Sequence, residues 1–142
     1  MKALSTFFIL GVFALSTSAR AATVTDLDDW AQSFTQAALK SDPDGMTDLV
    51  HRVSESNFDT TQLKDGMQRM EDFLGPDMAS YAEQFEGARL GTFARRINIA
   101  VVYPKHQLYY SVFFLRRPDG WTMTNLSFNK NLSEILKIGW PG

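Results

Sequence analysis

Between Thr25 and Lys40, the residues Leu27, Trp30, Ala31, Phe34, Ala37 and Ala38 recur at three- and four-residue intervals, the spacing of one helical stripe. Asp28, Asp29, Gln32 and Gln36 fall on the opposite face, and Asp26, Asp28 and Asp29 sit in the first turn, where carboxylates complement the positive end of the helix dipole. Ser41-Asp42-Pro43-Asp44-Gly45 breaks this helix, and Met46, Leu49, Val50 and Val53 mark a second, shorter one. A third is predicted over 60–74, with Leu63, Met67, Met70 and Phe73 or Leu74 inward and Gly75-Pro76 stopping it. The same spacing predicts a fourth over 77–85, burying Met78, Tyr81, Ala82 and Phe85 and ended by Gly87.

Beyond Gly87 the period changes from 3.6 to 2. Over 92–103, Phe93, Ile97, Ile99, Val101 and Tyr103 share one face of a strand, and Thr92, Arg96, Asn98 and Ala100 the other. Unbroken alternation would put Arg95 on the apolar face, where it would need a carboxylate partner or a bound anion; a bulge near Arg95-Arg96 that turns it to solvent is the expected solution, because such a shift is cheap in a bent sheet. Tyr103-Pro104-Lys105-His106 turns the chain into an aromatic-rich strand over 108–117. Arg117-Pro118-Asp119-Gly120 turns it again, proline pre-setting one corner and glycine free to adopt positive φ. In the last strand, 121–128, the apolar positions shift from Trp121 and Met123 to Leu126 and Phe128, which calls for a bulge near Asn125. Asn131-Leu132-Ser133-Glu134 starts a short terminal helix with Ile135, Leu136 and Ile138. Helices followed by an antiparallel meander specify the α+β class, N-terminal helices packed on a curved C-terminal sheet.

The first residues change the picture of where this domain works. Lys2, the apolar run Phe7–Leu15 and Ala19-Arg20-Ala21 have the order of a cleaved secretory signal over residues 1–21. Nine apolar residues are too few to cross roughly 30 Å of hydrocarbon, so no membrane insertion is expected after cleavage. Absence of cysteine removes disulfides, lipidation at the cleavage site and thiol chemistry. The expected product is soluble, periplasmic or secreted, and comprises one domain over 22–142, which is 121 residues with one hydrophobic core.

Charge divides that domain. From Thr23 to Ala88 fourteen acidic residues face four basic ones, a net −10; from Arg89 to Gly142 eight basic residues face two acidic ones, a net +6. Acidic helices are thus expected to dock beside a basic sheet. Nucleic acid is not an expected partner of an acidic exported chain without a basic recognition helix.

The stretch Tyr103–Asn129, above all the Pro118-Asp119-Gly120-Trp121 turn followed by Asn125-Leu126-Ser127-Phe128-Asn129, resembles the C-terminal sheet of small exported bacterial proteins of the cystatin-like, nuclear-transport-factor-2-like superfold. The resemblance covers about a quarter of the mature chain. It implies a cone in which a bent sheet wraps around helices, with a cavity at its open end, and homodimerisation through the sheet is common in that superfold. Relatives include binding proteins, isomerases and dehydratases, so fold does not decide function.

Candidate chemistry is sparse. His51 and His106 have no partner at ligand spacing, so no metal and no cofactor is expected. Asp42-Pro43-Asp44-Gly45 lacks the distal glutamate of a calcium loop and reads as a turn. Arg95, Tyr109, Tyr110 and Trp121 are the candidate ligand-binding residues, an anion-pairing guanidinium and aromatic walls for a flat apolar molecule. The expected function is non-catalytic capture of a small molecule or a protein partner through the open face of the sheet. The alternative is a cavity enzyme using acid/base chemistry; the strands offer only Asp119, so its base would come from Asp48, Glu55 or Asp72 on the helical side.

Overall fold

The structure is a computed structural model that describes residues 23–55 and 58–140. The expected signal segment lies outside the described residues. Three helices, α1 (Leu27–Leu39), α2 (Pro43–His51) and α3 (Thr60–Leu74), precede four strands, β1 (Tyr81–Leu90), β2 (Ala94–Val102), β3 (Gln107–Arg117) and β4 (Gly120–Asn129), and a short helix α4 (Leu132–Leu136). The strands form one antiparallel meander in the order β1-β2-β3-β4.

Each long helix begins where an aspartate can cap it. Asp26 accepts hydrogen bonds from the amides of Asp28 and Asp29 at 3.0 and 3.1 Å, Asp42 from Gly45 at 2.9 Å, and Asp59 from Thr61 and Gln62 at 3.0 and 3.2 Å. Asp42 is therefore a helix cap, and Pro43-Asp44-Gly45, which reads in sequence as a turn, forms the first turn of α2 instead. The apolar stripe of α1 lies on the sheet: Trp30 stacks on Phe34 at 5.2 Å and meets Phe114 edge-on at 4.9 Å, while Phe34 meets Tyr110 edge-on at 5.5 Å. Ile97, Ile99, Val101, Leu108, Val112 and Met123 complete this buried layer.

The fourth expected helix is instead β1. Tyr81 and Phe85 are four residues apart, and four is also a multiple of two, so the pair fits one face of a strand as well as one stripe of a helix. Pairing with β2 over Tyr81↔Val102 to Leu90↔Ala94 decides between them. Met78 precedes the strand and is 61% exposed, and Tyr81 is exposed as well. Gly87 does not end a helix; it lies in a bulge between Phe85 and Ala88, where a Cβ would collide with the Arg96 carbonyl oxygen.

No bulge interrupts β2. Its register with β3 runs unbroken from Ala94↔Leu115 to Val102↔Gln107, so Arg95 keeps to the helix side and is not turned to solvent by a kink. The helix supplies its partner: Arg95 Nη2 donates to Asp28 Oδ1 at 3.0 Å. The bulge expected near Asn125 is present. Phe113 pairs with Asn125 and Phe114 with Met123, leaving Thr124 as the extra residue. Bulges thus fall in β1 and β4, the two edge strands, where added twist curls the sheet around α1. Arg117 Nη2 also reaches across the charge divide, to Glu55 Oε1 at 2.6 Å.

The face turned away from α1 is partly covered by the C-terminal segment. Ile135 of α4 is buried, the Trp140 ring meets Phe113 edge-on at 5.7 Å, and Arg96 Nη1 donates to the Ile138 carbonyl at 2.9 Å. Among the described residues, no helix is long and apolar enough to cross a membrane.

Candidate functional site

A cavity of about 270 Å³ lies where the end of α1, the start of α2, the end of α3 and the end of β2 meet. Local sequence signals shape it. After Lys40 caps α1, Ser41 adopts φ 52°, a left-handed conformation unusual for a residue with a side chain, and redirects the chain so that Pro43 begins α2 at the lip. Gly75, at φ 61°, ends α3 and leads Pro76, Asp77 and Met78 along the mouth. Ala38, Met46, Met70, Leu74 and Tyr103 form a buried, mainly apolar lining.

Two tyrosines mark the depth of this end of the core. Burial pushes the Tyr103 hydroxyl above the ordinary tyrosine range, and a hydrogen bond with Ser41 partly offsets it. Burial pushes Tyr110 up much further, with the nearby Tyr103 adding to the effect, and its hydroxyl donates to Met70 Sδ at 2.8 Å. The sign of the linkage follows. A tyrosine whose folded-state pKa is raised binds its proton more tightly when folded, so its contribution is complete below pH about 10 and is lost as pH rises towards the folded value. Tyr110→Phe is expected to lower stability modestly at neutral pH, by about 0.5–1.5 kcal/mol, and to flatten the decline above pH about 10. Urea midpoints at neutral and alkaline pH check both effects; an unchanged alkaline decline would contradict the assignment.

The structure does not gather the four sequence candidates around this cavity. Arg95 pairs with Asp28 on the helix side of β2. Tyr110 is fully buried on that side, whereas its neighbour Tyr109 points to the other face and meets Phe85 edge-on at 6.1 Å. Trp121 packs against the core near Val24, which exchanges backbone hydrogen bonds with it at 2.9 and 2.7 Å. The carboxylates considered as bases also lie elsewhere: Asp48 pairs with Arg52, Glu55 with Arg117, and Asp72 accepts from Gln68. The buried residues Met46, Met70, Leu74 and Tyr103 of the lining read in sequence as inward positions of separate elements, and no local signal shows that their stripes part at one end. Among the described residues there is no cluster of three or more histidine, aspartate or glutamate side chains able to hold a metal ion.

No protein-family model matches the chain, and a search of curated proteins returns no match. Its backbone is similar to that of a DUF4783 family protein from Bacteroides ovatus ATCC 8483, with a TM-score of 0.49 and 8% identity over 70% of this chain and 93% of that one. A DUF4783 family protein from Bacteroides fragilis YCH46 gives 0.48 and 9% identity over 70% and 96%. An NTF-2-like protein of unknown function from Silicibacter pomeroyi DSS-3 gives 0.46 and 8% identity over 84% of this chain and 98% of that one. The α+β class itself rests on the helices, followed by a four-stranded antiparallel sheet, seen in this chain.

Proposed function

We propose that this chain is an exported, non-catalytic domain that binds a small apolar molecule in the cavity between Met46, Met70 and Tyr103. The observation that carries the reading is a mainly apolar cavity of about 270 Å³ at the junction of four elements, with Ala38, Met46, Met70, Leu74 and Tyr103 buried in its wall and exposed residues at its mouth. Pockets of this kind bind through apolar contact, with a few polar groups fixing orientation. Scaled from the roughly 150 Å³ that holds a benzene, the space suits on the order of ten non-hydrogen atoms. The sheet face beneath α1 is filled by that helix and its neighbours, which supports a site at the end of the helices over one on that face. Export is supported by the order of Lys2, the apolar run Phe7–Leu15 and Ala19-Arg20-Ala21.

Native mass spectra of protein purified from its own compartment test this function. An additional small mass, released on denaturation, is the expected result. A bare dimer would replace small-molecule binding with self-association, the other partner the sequence suggests.

A further inference from the structure

We infer that the ligand of this cavity carries a positive charge, an apolar body with a primary amine or similar cation at one end; the inference rests on the cavity being the binding site. Glu71 and Asp77 stand among the residues lining the cavity, which include no lysine, arginine or histidine. Neither carboxylate forms an ion pair among the described residues, whereas Asp28, Asp48, Glu55 and Glu134 each do.

The helix that supplies Glu71 adds to the same field. Glu71 and Asp72 occupy the last turn of α3, which holds no basic residue to complement the negative end of its dipole. An acidic pair there works against helix stability, and a cation at the mouth would offset both the carboxylate charge and the exposed carbonyls. The interior imposes the other half of the ligand. Met46 and Met70 are buried, and Met78 is largely exposed at the opening; their unbranched thioethers adapt to varied apolar shapes. An alkyl chain can occupy the lining while its ammonium stays hydrated beside Glu71 and Asp77, as long cationic side chains do at protein surfaces.

The probes are octylammonium, octanol and octanoate, which share a chain and differ in charge, titrated into the whole folded protein labelled at its methionine methyl groups. Shifts at Met46, Met70 and Met78, with the core Met123 as an unmoved control, report binding at this place. Octylammonium is expected to bind roughly fivefold more tightly than octanol, octanoate the most weakly, with the difference narrowing as salt is added. In the double variant Glu71→Gln, Asp77→Asn, octylammonium should fall to the affinity of octanol, while octanol itself is unchanged and so confirms an intact cavity. Equal affinities of the three probes for the unaltered protein would overturn the charge inference and leave the cavity as a binding site. Failure of all three probes to move the three cavity methyls would overturn the binding reading as well.

Discussion

Phe34→Ala is expected to destabilise the domain by about 3–5 kcal/mol, the largest effect of any single substitution considered. Phe34 is fully buried on α1 and links two aromatic contacts, a stacked one with Trp30 and an edge-on one with Tyr110. Truncation removes the apolar transfer term and leaves a void that those two rings and their neighbours cannot fill without leaving their rotamers. A domain of this size has a total stability of only about 5–15 kcal/mol, so the variant should unfold at far lower denaturant, if it folds at ordinary temperature. Urea unfolding followed by tryptophan fluorescence measures the change, and a loss below about 1 kcal/mol would mean that α1 is not the centre of the core.

Gly87→Ala is expected to cost about 1–3 kcal/mol through a different mechanism. The added methyl is directed at the Arg96 carbonyl oxygen across the β1 bulge, and a backbone atom held in a strand cannot swing aside as a flexible side chain can. The strand must shift, weakening its pairing with β2. Amide hydrogen exchange should therefore speed up in β1 more than in the β3–β4 pair. Unchanged stability would place Gly87 outside the close approach between these strands.

Sequence periodicity was most informative where only one period fits. The stripe of α1 and the span of α3 over residues 60–74 are legible because three- and four-residue spacings recur over several turns, and Gly75-Pro76 marks the end of α3. The Thr124 bulge is legible too, since the apolar phase of β4 changes from odd to even positions across it. The segment 77–85 reads as a helix because Tyr81 and Phe85 satisfy either period, whereas strand pairing with β2, a non-local interaction, overrides the helix-compatible spacing around Glu83, Gln84 and Glu86. The same limit hid the relation of Arg95 to Asp28: their partnership spans 67 residues of sequence. Neighbouring tyrosines 109 and 110 looked like one aromatic wall, but alternation along a strand sends them to opposite faces. The cavity was the least legible feature, being a gap left among four packed elements; Ser41 contributes to it through a backbone conformation that its side chain does not advertise.

The most direct test of the central claim compares native mass spectra of the unaltered protein and of Ala38→Leu, a substitution that grows a side chain from a buried residue of the cavity lining. A small additional mass on the unaltered protein, released on denaturation and lost in the folded variant, is the predicted result. An additional mass that persists equally in the variant, or its absence from both, would contradict ligand capture at this end of the helices.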